Sequence, residues 1–256
     1  MGWLVGGIES LAAMRFRFAS PSTPALVLAV VVLAGCSSTS SSGNGVASKT
    51  PAEILAASKS AAAGAATVHV AGSILSEGKP ISLDMELVGS NGVGDNGGRG
   101  RLTLGGLGIK LIAIDKDVYV KGNDAFYTHF AGARAARLLH GKWLQGSAEH
   151  GPLASFASLA NLGKVLDSTL QDHGPLSSAG TTTVNGQKAV GVTDAAKGGE
   201  GGILYVATSG APYPLEIVKS GSATGAGKIV FDRWNKPVTL LAPTNVINVD
   251  QLQGAG

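Results

Sequence analysis

Apolar and polar residues alternate strictly through Ile81-Ser82-Leu83-Asp84-Met85-Glu86-Leu87, with Ile81, Leu83, Met85 and Leu87 on one side. A period of two places one face against a core and the other in water, the pattern of an antiparallel strand. Shorter runs of the same kind follow at 101–104, 109–114 and 118–120, separated by glycine or by Asp115-Lys116-Asp117, and this spacing predicts a meander. Upstream, 67–74 reads as extended. Thr50-Pro51-Ala52-Glu53 predicts a helix over 50–66, with Thr50 as N-cap, Pro51 in the first turn, Glu53 closing a capping box and Gly64 weakening the end.

The pattern changes in the middle of the chain. Residues 124–142 mix Phe126, Tyr127 and Phe130 with Arg134, Arg137 and Lys142. From 152 to 172, Leu153, Phe156, Leu159, Val165, Leu166 and Leu170 recur at roughly helical intervals behind Pro152, which predicts an amphipathic helix broken at Gly163. Strands then resume. Asn185-Gly186 between two strand-like runs predicts a hairpin, and 203–207, 215–219 and 228–234 are further strands. Leu215 and Ile217 are expected to share a face, as are Ile229 and Phe231. The order helix, strands, helices, strands predicts an α+β fold with an antiparallel sheet.

Composition narrows the function more than the fold. Of 256 residues, 44% are hydrophobic but only 14% charged, against about 25% charged in an ordinary domain. The formal net charge of +3 is too small to argue for nucleic acid. A single cysteine excludes an intramolecular disulfide, a four-cysteine zinc site and a cysteine-ligated iron–sulfur cluster.

That cysteine ends a leader. Arg15 and Arg17 form a positive region, 25–33 is a short apolar run, and Leu33-Ala34-Gly35-Cys36 resembles a bacterial lipobox. Residues 1–35 therefore read as a signal peptide, with Cys36 as the lipid attachment site. Glu9 fits poorly in a basic leader, so the natural start is expected at Met14. Residues 36–49, rich in serine and glycine, read as a lipidated tether, leaving 50–256 as the body, held on the outer side of the cell membrane.

Catalytic motifs weigh little. Gly92-Val93-Gly94-Asp95-Asn96-Gly97 matches a dinucleotide fingerprint in letters, but a strand rather than a helix follows it, so a hairpin turn is the better reading. The histidines 69, 129, 140, 150 and 173 contain no pair at i, i+4, and no G-x-S-x-G elbow is present. No metal, cofactor or catalytic residue is expected, and an envelope hydrolase would lack an assembled nucleophile. Arg134 and Arg137, if helical, share a face that could meet an anionic head group.

The lipobox, the tether, the first helix, Leu159-Ala160-Asn161-Leu162, Thr183 to Val190, Leu204-Tyr205-Val206 with Pro214-Leu215, and Phe231 to Val238 occur in an order that resembles the mycobacterial LppX/LprAFG lipoproteins over about residues 50–250. The resemblance implies a fold like the carriers LolA and LolB: a strongly curved antiparallel sheet, an unclosed half-barrel, with helices on its concave side. It also implies a non-enzymatic protein whose apolar cavity takes lipid or glycolipid acyl chains bound for the outer envelope, with an envelope transporter as a further partner. On that reading Leu83, Met85, Leu87, Leu104, Leu111, Leu215, Ile217, Ile229 and Phe231 line the cavity or pack as ordinary core. A closed, non-enzymatic binding or sensory module is the alternative.

The leader yields a direct test. Cys36→Ala is expected to abolish acylation, because only the thiol can accept the diacylglycerol. Metabolic labelling with a fatty-acid analogue checks this, and label on the variant would reject the assignment.

Overall fold

The capping box opens the first helix as its residues require. The Thr50 hydroxyl oxygen accepts from the Glu53 N–H at 3.4 Å, and the Glu53 carboxylate accepts from the Thr50 N–H at 2.9 Å and from the Thr50 hydroxyl at 2.7 Å. These bonds, the hydroxyl's first, hold the Glu53 carboxyl below the usual carboxylate range. Helix α1 (Pro51–Ala63) buries Ile54, Leu55, Ser58 and Ala62 along one side. This computed structural model describes residues 43–253 apart from 77, 90, 91, 93–95, 171, 172, 196–200 and 221–225. The expected leader, Cys36 and the first part of the expected tether lie outside the described residues.

Twelve strands form one sheet: β1 (Thr67–Ser76), β2 (Lys79–Val88), β3 (Gly97–Leu104), β4 (Leu107–Ile114), β5 (Asp117–Gly122), β6 (Trp143–Ser147), β7 (Leu176–Val184), β8 (Gln187–Asp194), β9 (Gly202–Ala207), β10 (Pro214–Lys219), β11 (Gly227–Asp232) and β12 (Val246–Asn248). Their order is β12-β6-β5-β4-β3-β2-β1-β11-β10-β9-β8-β7, so two meanders meet where β1 pairs with β11. Every pairing is antiparallel except that of β12 with β6. The sheet is curved and open; β12 and β7 are its two edges. Helices α2 (Asp124–Leu139), α3 (Ala154–Ala157), α4 (Leu162–Leu170) and α5 (Val249–Gln253) are the other α-helices among the described residues, and none of these is long and apolar enough to cross a membrane.

The α+β class, the meander and the hairpin follow the sequence reading. Asn185 and Gly186 have φ of 48° and 80°, the left-handed pair that a two-residue turn matched to the strand twist requires. Four features extend it or depart from it. Residues 124–139 are helical, started by Asn123, whose side chain accepts from the Phe126 N–H, and kinked at Gly132 with φ 80°. The helical run after Pro152 breaks at Asn161 rather than Gly163: Asn161 is extended, and its side chain caps α4 by accepting from the Lys164 N–H at 3.0 Å. A bulge between Pro214 and Glu216 shifts the strand phase, so Leu215 joins Val184, Ala189 and Ala207 in a small second cluster while Ile217 stays in the main core.

The fourth departure concerns the tether. The Asn44 N–H donates to Thr208 O at 2.8 Å and its side-chain amide to Ala207 O at 2.9 Å. A 3-10 turn, Val46–Ser48, follows, and Val46, 1% exposed, belongs to the main core. The folded body thus begins before Thr50, because one apolar side chain in a polar stretch suffices to dock it. Val46→Ala is expected to lower stability by about 1–3 kcal/mol in urea unfolding; an unchanged midpoint would return these residues to the tether.

The inner face of the sheet as candidate site

Strand register sorts the inner side chains into rows running across the strands. In one row Val118, Ala113, Gly98, Leu87 and Val68 are successive cross-strand partners; in the next, Val120, Leu111, Gly100, Met85, Val70 and Phe231. No side chain in these two rows is more than 5% exposed. Cover comes from α1, from α4, and from the 3-10 turn Ser158–Ala160 that lies over β2, β3 and β4. Glycine on β3 makes this approach feasible. A Cβ on Gly98 would stand 2.8 Å from Leu87 Cδ2 and 3.0 Å from the Ala160 carbonyl; one on Gly100 would stand 2.1 Å from the Asp84 carbonyl, so that glycine serves the close pairing of β3 with β2.

Burial decays along the strands. In the third row Ile109, Ile229 and Ile217 are buried, but Leu102 and Leu83 are only partly so. In the fourth, Leu107, Ile81 and Ile74 are half-buried and Leu104 is 37% exposed. The apolar inner face therefore runs past its helical cover, toward the end of the sheet that holds the β3–β4 turn.

Helix α2 rises from that rim. The Asn123 side-chain amide donates to Gly106 O at 3.0 Å and its backbone N–H to Gly108 O at 2.8 Å. The Tyr127 hydroxyl accepts from the Gly122 N–H at 2.9 Å and donates to Lys142 O at 2.8 Å, and burial pushes this phenol above its ordinary pKa. Phe126 packs against Phe130 and Phe156, with ring centroids 4.6 and 6.2 Å away, which ties α2 to α3. Beyond the kink, Arg134 and Arg137 are both exposed on α2.

The residues expected to line a cavity thus fall into three groups. Leu83 and Leu104 reach the uncovered end. Met85, Leu87, Leu111, Ile217, Ile229 and Phe231 are packed in the main core, and Leu215 lies in the second cluster. Sequence reasoning missed Ile74, Leu102 and Leu107, although Leu107, just after the Gly105-Gly106 turn, could have been placed by counting back from Ile109. It also missed a cluster on the outer face. His69 Nδ1 lies 2.6 Å from Asp232 Oδ1 and Nε2 lies 3.1 Å from Asp84 Oδ1. No group of three or more potential ligands that could hold a metal is present among the described residues.

An open, curved antiparallel sheet with its helices packed on one face is the class of fold these features define. Among solved structures the chain shares it with LprF from Mycobacterium bovis, at 18% identity and a TM-score of 0.51 over 75% of this chain and 96% of that one. The lipoprotein LppX of Mycobacterium tuberculosis is similar over 74% and 98% of the two chains, at 16% identity and a TM-score of 0.48. No family model matches the sequence, and no curated protein does.

Because Gly98 lets the 158–160 turn rest on the strand backbone, Gly98→Ala is expected to cost about 1–3 kcal/mol through overpacking. Chemical denaturation measures this, and an unchanged midpoint would mean that the turn yields freely.

Proposed function

We propose that this protein is an envelope lipoprotein that binds lipid or glycolipid acyl chains on the open end of its inner face and carries them toward the outer envelope. The observation that supports this reading best is the apolar row at the rim, where Leu104 is 37% exposed and Ile74, Ile81 and Leu107 are half-buried beside partly buried Leu83 and Leu102. A monomer gains nothing by leaving such a row in water, whereas an acyl chain laid along it gains roughly 25 cal/mol for each Å² of apolar surface removed from solvent. Attachment through Cys36 would hold the body at the outer surface of the membrane that supplies the chains. Arg134 and Arg137, on the exposed part of α2, offer cations to an anionic head group. The fold shared with LprF is consistent with this role.

Protein purified from its own host is expected to retain diacylated lipid or glycolipid near one per chain, measured by extraction and mass spectrometry. Leu104→Arg should lower that content several-fold while shifting stability by no more than about 0.5 kcal/mol, as at an ordinary surface position. Leu87→Trp, in the close-packed core, should instead cost about 1–3 kcal/mol. Lipid-free protein, or unchanged lipid content in Leu104→Arg, would favour the closed binding module.

A further inference from the structure

We propose that the outer face of the sheet carries a second site, independent of the lipid reading, that binds a small phosphate anion between Arg101 and Lys110. Strand register lines up three cations: Arg101 on β3 is the cross-strand partner of Lys110 on β4, which is the partner of Lys121 on β5. Like charges directly opposite one another destabilise a sheet, and no ion pair joins any of the three to a carboxylate among the described residues. The nearby acids are already engaged. Glu86 bonds Arg99 at 2.7 Å and Arg233 at 3.2 Å, and Asp84, the cross-strand partner of Arg101 on β2, forms no ion pair with it and lies against His69 at 3.1 Å.

Arg101 and Lys110 line a recess of about 400 Å³ together with Arg99 and Arg233, against only Asp84 and Glu86, and Leu111, Ile112 and Trp143 are its apolar residues. Excess cation beside apolar wall is where an oxyanion is held best, because the guanidinium donors fit phosphate oxygens in pairs and the ammonium adds a point charge. A phosphate bound there would also relieve the repulsion between Arg101 and Lys110. Phosphate is favoured over a single carboxylate because the site offers more positive charge than one carboxylate neutralises.

The test is calorimetric titration of the full chain with inorganic pyrophosphate at low ionic strength. Saturable binding at one site is expected. The Arg101→Gln/Lys110→Gln pair should weaken it at least tenfold while leaving the melting temperature unchanged or raised, since like charges have been removed. The Lys79→Gln/Lys164→Gln pair, which removes the same charge from exposed positions elsewhere, should stay within twofold of the wild type. Absence of saturable binding, equal weakening in both pairs, or response to phosphatidylglycerol vesicles without response to pyrophosphate would each overturn the proposal.

Discussion

A sheet of this breadth creates one apolar surface that must be kept from water, and the helices among the described residues, none longer than the 16 residues of α2, cover only part of it. The rest of the architecture adjusts to that shortage. Glycine replaces a side chain at Gly98, so that the 158–160 turn can rest almost on the strand backbone, and at Gly100, where β2 approaches closely. Val46, upstream of the capped helix, is drawn into the core. Aromatic rings on α2 and α3 close the space above β4 and β5. Where these devices run out, the inner face continues, half-covered, to the rim.

The outer face solves a different problem. Apart from the small apolar cluster around Leu215, it carries charged side chains whose neighbours are set by register. Glu86 is shared by Arg99 and Arg233, Lys228 reaches Glu216 at 2.7 Å, and His69 sits between two aspartates. Pairs with both partners exposed contribute little each, so they speak of local charge balance rather than of what holds the fold; Glu216, 7% exposed, is the buried exception.

Local chemistry was legible in the sequence where one short segment decides the outcome. The alternation at 81–87, the Thr50/Glu53 box and the Asn185-Gly186 turn all depend on residues within a few positions of each other, and each takes its expected form. Helix α2 was hidden because Gly132 breaks its period and arginines dilute its apolar side. Leu215 was placed on the wrong face because a bulge inserts one residue without leaving a mark in the composition. The apolar character of the inner face could be read, but not which part of it lies bare. That depends on where helices from 50–66 and 152–170 come to rest, a tertiary fact. The His69 cluster was out of reach for the same reason, its partners being brought together by pairing across the whole chain.

The pairing of β1 with β11 has a kinetic consequence. His69 and Asp232 are 163 positions apart, yet their strands adjoin at the middle of the sheet. Each meander can form from neighbouring segments, but the seam between them closes only after nearly the whole chain is available, and contacts of such long range are slow to make. A nascent chain would therefore stay unjoined until β11 has followed. Delayed closure leaves the apolar faces of both meanders exposed together for the longest interval, which is when assistance against aggregation matters most.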